Sequence, residues 1–252
     1  RTGMDKQHDL MASLNGSLGN HAHANGISLE LYGKGYVLGP DAGIGKYLYS
    51  GLDYIEYYSQ MPAHNTVVVD GVSSYPVMMS QHAFKLIASY PEVSKEQPAS
   101  KKLSEQKERM TYATVSFIEP ETQALQQRTT AIVKTSDKGG YYVDVFRSKK
   151  QEGGDKTHDY FYHNLGQQMQ VVDAATGKPL DMKPTEELAF AGGHLYAYSY
   201  IYNKESTEMQ GSIKTQFVTR IEDDKVVEAM DGQREITMTM WMKADTDRTI
   251  FK

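Results

Sequence analysis

The sequence predicts an all-β protein: a large antiparallel double-sheet β-sandwich with little helix. Three observations carry this. Apolar and polar residues alternate in segment after segment, the period-two signature of a strand with one buried face. Turn signals built from glycine, aspartate and lysine separate those segments at short intervals. Tyrosine occurs 18 times against a single tryptophan, and tyrosine favours pleated, half-buried surfaces. A length of 252 residues suits one large β unit. The expected organisation is therefore one sandwich over residues 1–252, with a short irregular lead-in over 1–20 where alternation is poor.

Taken in order, Ile27 to Leu31 reads as a strand, and Gly33-Lys34-Gly35 turns the chain into Tyr36-Val37-Leu38. Thr66 to Val69 is a short β-branched strand closed by the turn signal Asp70-Gly71. Only Ser94 to Arg109 is helix-tolerant. Its lysines and glutamates lack an apolar stripe, so a solvated loop fits it at least as well. Tyr112 to Ile118 and Thr129 to Lys134 alternate well, and Asp137 to Gly140 then turns the chain into Tyr141 to Arg147, a hairpin by pattern. Arg128 and Arg147 fit strand-pair electrostatics better than substrate binding. Lys149 to Lys156 reads as a polar loop. His158 to Asn164 is a strand dense in aromatics. In His194 to Tyr202 every second residue from Tyr196 is tyrosine, which predicts four tyrosines on one strand face. Ser212 to Ile221 and Glu235 to Lys243 complete the series.

Composition narrows the function classes. The net charge is −5, with acids and bases mixed and no basic arm or stripe, which argues against nucleic-acid binding. A site for an anionic substrate needs only local positive charge and stays open. The absence of cysteine excludes disulfides and thiolate metal sites and is compatible with a periplasmic or secreted protein. No apolar run is long enough for a membrane-spanning helix, and no signal peptide is present. The chain opens on Arg1-Thr2-Gly3-Met4 and reads as a mature or excised fragment.

The chemistry concentrates near the start, in Asn20-His21-Ala22-His23-Ala24-Asn25-Gly26. Two histidines one residue apart, where an alternating strand begins, are expected to share one face of the backbone. Neutral imidazole is the commonest protein metal ligand. Two further candidates follow, Asp41 in Gly39-Pro40-Asp41-Ala42-Gly43 and His64 in Ala63-His64-Asn65-Thr66. Zinc takes imidazole nitrogen and carboxylate oxygen, usually four ligands in a tetrahedron. His23, Asp41 and His64 would supply three, with water or another side chain as the fourth. The gaps are too wide for a helical metal motif, so adjacent strands would have to assemble such a site. Taken alone the spacing is a weak signal, since most lone histidines in β proteins are surface or hydrogen-bonded core residues.

Three blocks together change that reading. Asn20 to Tyr32, then Gly39-Pro40-Asp41-Ala42-Gly43-Ile44-Gly45, then Tyr57-Tyr58-Ser59 with Ala63 to Gly71, resemble the heparinase II/III-like polysaccharide lyases in residue type and order. Later strands, including Tyr141 to Arg147 and His158 to His163, look similar to the rest of that family's β module. The resemblance implies an N-terminal α/α toroid packed on a C-terminal β-sandwich, of which this chain looks like the sandwich alone, with the toroid expected upstream. It implies a zinc ion held by His23, Asp41 and His64. It places His21 in the cleft beside the substrate carboxylate, with Tyr58 as a cleft-lining tyrosine. Asn25 departs from the pattern: many members carry aspartate there, and an amide cannot provide the same charged acceptor for a ligand histidine.

The activity implied is cleavage of a uronic acid polysaccharide by β-elimination. Removing the proton at C5 places charge on the adjacent carboxylate, so a donor aimed at that carboxylate stabilises the enolate-like transition state. His21 fits this role. A base takes the proton and an acid delivers one to the leaving oxygen; the remaining groups would sit on the toroid, so the fragment alone is expected to be inactive. Zinc fits a structural role better, because this elimination needs no metal-activated hydroxide. Lys46, Tyr47, Tyr49, Tyr54 and Tyr57 fall in the same loop region, with Lys46 reading best as solvated. Two other readings compete: a non-catalytic carbohydrate-binding or scaffold sandwich that uses its tyrosines, and a zinc hydrolase on a β fold.

Overall fold

The computed structural model describes residues 8–43, 45–46, 51–92, 109–153, 157–187, 193–244 and 246–252, excepting the side chains of 193–196. The described chain is all-β and antiparallel, with short helical turns between strands. It divides into two compact units, Arg1–His163 with Phe190–Tyr200, and Asn164–Ala189 with Ile201–Lys252. Tyr47, Tyr49 and most of Ser94 to Arg109 lie outside the described residues.

The first unit is a layered sandwich. One wall is the meander β7 (Lys85–Tyr90), β8 (Met110–Ile118), β9 (Ala124–Lys134) and β10 (Gly140–Lys150), in sheet order β10-β9-β8-β7. The hairpin read from Thr129 to Arg147 is its centre, with Thr130 opposite Asp144. β10 alternates between half-buried and exposed along its whole length, as period-two patterning demands. Facing this wall are β1 (Leu10–Asn15), β3 (Ser28–Gly33) and β4 (Tyr36–Gly39), in the order β1-β3-β4. Ile27, Val115 and Phe117 form the core between them, with Leu14, Phe84 and Phe146 packed around. A second pair, β5 (Val67–Val69) with β11 (His158–Tyr160), buries Val67 and Val69 against Ala124 and Phe146. β2 (Ser17–Asn20) pairs with β6 (Met79–His82).

The second unit repeats the idea on a smaller scale. β12 (Gln168–Asp173), β15 (Ile213–Arg220) and β16 (Glu235–Met242) form one sheet, and β13 (Lys183–Pro184), β14 (Glu205–Met209) and β17 (Arg248–Phe251) form the other. Val171, Ile213 and Ile250 are buried together, with Met209 and Met242 closing the cluster. One α-helix, α1 (Asp224–Ala229), links β15 to β16; the Asp223 side chain caps it by accepting from the Lys225 N–H at 2.9 Å.

Two expectations need correction. The lead-in over 1–20 is not irregular: from Leu10 it runs as β1 and β2, with Leu10 opposite Gly33 and Ser17 opposite His82. Every residue of β1 is half-buried, so neither face stands out in the sequence. His194 to Tyr202 is not a strand; Gly193–Tyr200 is a 3-10 helix. Three residues per turn scatter the tyrosines that a strand would align. Tyr198 is fully buried and donates to Asp159 at 2.7 Å, Tyr200 bonds Glu56, and Tyr202 is 77% exposed. Those acceptors come from distant segments, which alternation along one segment does not register.

One side chain ties the layers together. Arg128 on β9 is 0% exposed. Its Nε and Nη2 donate to both oxygens of Asp144 on β10, each at 2.8 Å, and its Nη1 donates to the carbonyls of Ile27 (2.7 Å) and Asn65 (2.5 Å). The guanidinium also lies 5.1 Å over the Phe146 ring. Thus Arg128 serves the strand pair and also holds the facing layer. Arg128→Met should lower the free energy of unfolding, measured in urea, by about 3–5 kcal/mol, because it leaves a part-buried carboxylate and two carbonyls without their donor. Arg128→Lys should recover little, since an ammonium cannot span carboxylate and carbonyls together. The double variant Arg128→Met with Asp144→Leu should recover part of the loss.

Candidate metal centre

The site grows from two loops that leave the facing layer. The first is Asn20 to Ile27, between β2 and β3. It is not a pleated strand: His21 has φ of 57° and Gly26 of 59°. The expectation that His21 and His23 share one strand face therefore fails, because a left-handed residue breaks the pleat on which alternation depends. His21 is exposed, and its N–H donates to the Met78 carbonyl at 2.7 Å. His23 is half-buried. The loop is pinned along its length: the Ala24 N–H donates to the Ser59 carbonyl at 2.9 Å, and the Gly26 N–H to His82 Nδ1 at 2.8 Å. Ser17 Oγ lies within hydrogen-bond distance of the His23 carbonyl and 2.9 Å from Asn25 Oδ1. Gly26 has to be glycine: a Cβ there would fall 2.5 Å from Thr66 Oγ1, besides the strain of its positive φ.

The second loop carries His64. The π-helical turn Tyr54–Tyr58 and the 3-10 turn Met61–Ala63, which has proline in its first turn, deliver it fully buried. Asn65 anchors it. Its Nδ2 donates to the Leu29 carbonyl at 2.9 Å, its Oδ1 accepts from the His163 N–H at 2.5 Å, and its own carbonyl receives Arg128. His163 Nε2 reaches the Pro62 carbonyl at 2.9 Å. Asp41 follows β4, with Oδ1 accepting from the Gly43 N–H at 3.0 Å.

These loops bring His23, Asp41 and His64 together, with one candidate ligand atom from each lying within 4.8 Å of the others. His64 Nδ1 and Asp41 Oδ2 are 2.6 Å apart, and the His23 and His64 rings are 5.5 Å apart. Burial works to raise the Asp41 carboxyl; the His64 hydrogen bond and charge, the Gly43 N–H and His23 outweigh it, so the group stays below the ordinary carboxylate range. Burial, helped by His64 and opposed by Asp41, pushes the His23 imidazole down. Nδ1 of His64 is the ring nitrogen that faces the Asp41 carboxylate, so Nε2 is the one turned away from it. That atom is buried and has no hydrogen-bond partner among the described residues. A carboxylate and two imidazoles gathered this closely form a nitrogen and oxygen donor set of the kind that a divalent cation takes.

Around this centre, Tyr54 is buried edge-on to His23, with ring centroids 5.4 Å apart. Tyr58 is half-buried and packs edge-on to Tyr57 at 5.3 Å, while Tyr57 stacks on Tyr200 at 5.7 Å. Lys46 is exposed. The residues that set the loops are Asn65, His82, Arg128 and His163, and no spacing in the sequence points to that role. Asn65 and Arg128 were named without this role. His163 ends a strand similar to the family's β module and His82 lies outside the three matching blocks; their carbonyl and amide partners show what both do here.

The site and fold define a β-sandwich module with a His-Asp-His metal-type centre at its loop edge. The profile of the family Heparinase II/III-like, C-terminal, matches residues 9–136, and the chain belongs to that family. It is also 33% identical over 175 residues to an endo-acting ulvan lyase of Formosa agariphila, an alignment that covers 66% of this chain. The chain spans 20% of that relative's length.

Two outcomes follow. The chain should retain about one divalent metal ion per molecule on elemental analysis; His64→Ala and Asp41→Ala should lose it, and His21→Ala should keep it. The second concerns acid. Burial pushes His82 down to about 4 from 6.5, with Glu119 opposing and His64 assisting, and its Nδ1 accepts from Gly26 only while the ring is neutral. Above pH 6.5 both folded and unfolded chains hold it neutral. Between 6.5 and about 4 the unfolded chain takes up a proton that the folded chain refuses, so stability falls as pH falls. Urea denaturation across that window should show a loss of up to about 3 kcal/mol from this group. His82→Gln should flatten the slope by about one proton.

Proposed function

We propose that this chain is the C-terminal module of a polysaccharide lyase that cleaves a uronic acid polysaccharide by β-elimination, with zinc held by His23, Asp41 and His64. The observation that carries this reading is the His-Asp-His centre, whose buried His64 Nε2 has no partner among the described residues, lying within the stretch that matches the family. Nitrogen and carboxylate donors suit zinc. Its cationic charge would cross-link the two loops that carry His21 and Tyr58, which is a structural role.

The chain's own residues do the rest. His21, two residues before a ligand and exposed on its turn, donates to the uronate carboxylate, where negative charge grows as the C5 proton leaves. Tyr58 lines the cleft. An α/α toroid upstream contributes the opposite wall and the remaining acid and base. The endo-acting ulvan lyase supports an acidic polysaccharide as substrate. The cysteine-free composition and a polymeric substrate favour the periplasm or the cell exterior as the place of action.

The test is to express the chain with its upstream sequence and offer ulvan, heparan, chondroitin, hyaluronan, alginate and glucuronan, following the ultraviolet absorbance of unsaturated uronate. One of them should give product. His21→Ala should lower kcat by about 100- to 1000-fold while metal content stays unchanged. Absence of unsaturated product from every polysaccharide overturns the lyase reading. Product formation that is indifferent to His21 overturns that residue's role.

A further inference from the structure

The second unit presents a sheet face with a different chemistry. Along β12, β15 and β16, residues alternate between the core of Val171 and Ile213 and the opposite face. On that opposite face the register sets Lys214 beside Trp241, and places Gln170, Gln216 and Thr239 in one cross-strand row. Gln168 lies two residues along β12, on the same side. Trp241 is the single tryptophan of the chain and is 65% exposed. The Lys214 ammonium sits 5.5 Å from its ring centroid. Gln168, Gln170 and Gln216, with Met169 and Val218, line an open depression of 410 Å³. No aspartate or glutamate occurs in residues 168–170, 214–218 or 237–241.

We infer that this face is a second binding site, for a stretch of anionic polysaccharide. An exposed indole offers a flat apolar surface against which the C–H face of a pyranose ring packs. The primary amides of Gln170 and Gln216 each provide donors and an acceptor, matching sugar hydroxyls that both donate and accept. Lys214, without a carboxylate in these three strand stretches, supplies the complementary charge for a uronate or sulfate group. An apolar protein partner would cover Val218 but leave the amides of Gln168, Gln170 and Gln216 and the Lys214 ammonium unsatisfied. A neutral glycan would leave the lysine without a counter-charge. The choice of occupant rests on the proposed lyase reading; the geometry of the face does not.

Because the chain has one tryptophan, its fluorescence reports this face directly. Titration with oligoglucuronate and with chondroitin sulfate should shift or quench the emission saturably, and dextran should not. Lys214→Met and Gln216→Ala should each weaken the response by about tenfold. Trp241→Ala, read by retardation in gels containing the same polymers, should lose binding, whereas His21→Ala should retain it. Unchanged emission with both anionic polymers, equal retardation of Trp241→Ala and the parent chain, or an equal response to dextran overturns the proposal. Elimination by the longer chain, run in parallel, separates the two readings: product without Trp241-dependent binding sinks this site alone, and Trp241-dependent binding without product sinks the lyase alone.

Discussion

The first unit depends on a buried arginine. Arg128 sits on the central strand β9, where its charge is compensated by Asp144 on the neighbouring strand through a two-point bond at 2.8 Å. A guanidinium sequestered this way costs desolvation, and the pairing repays it only because the other donors are used as well. They are used across the layers, on the carbonyls of Ile27 and Asn65. Those residues end the first site loop and follow the metal-type histidine of the second. One side chain therefore fixes the sheet, the spacing of the layers and the relative height of the two loops.

The candidate centre inherits its geometry from that anchor through backbone contacts rather than through its own side chains. His64 is where it is because Asn65 is held at its side chain by Leu29 and His163, and at its carbonyl by Arg128. His23 is where it is because Ala24 and Gly26 are fastened to Ser59 and His82. Only Asp41 is set mainly by local turn chemistry, through Gly43. Such a frame pre-positions the three groups, and leaves one buried nitrogen of His64 without a partner among the described residues. His163, an essential part of it, follows β11, beyond residues 9–136 that match the family.

The two units use the same material differently. In the first, polar side chains are buried and committed to holding loops. In the second, the core is aliphatic and methionine-rich, and the polar residues of the larger sheet stand outward with the tryptophan among them. The outward face of that sheet sets the indole and Lys214 among amides, hydroxyls and Val218, a mixture that the buried polar residues of the first unit do not repeat.

Strong alternation made β8, β10, β15 and β16 legible, together with most of β9, because their two faces meet different environments and the difference is written every second residue. The candidate metal ligands were legible because their order resembles a family, not because spacing required them. The sequence by itself thus determined the antiparallel β class, the hairpin of β9 and β10, and the identity of His23, Asp41 and His64 as candidates. Tertiary structure alone decided that β1 pairs with β3, that Gly193–Tyr200 coils instead of extending, that His21 turns out of the pleat, and that Arg128, His82, Asn65 and His163 frame the centre. Periodicity records only whether a residue faces core or solvent. Hydrogen bonds between segments as far apart as Ile27 and Arg128 depend on which strands become neighbours, and that is settled only when the layers pack.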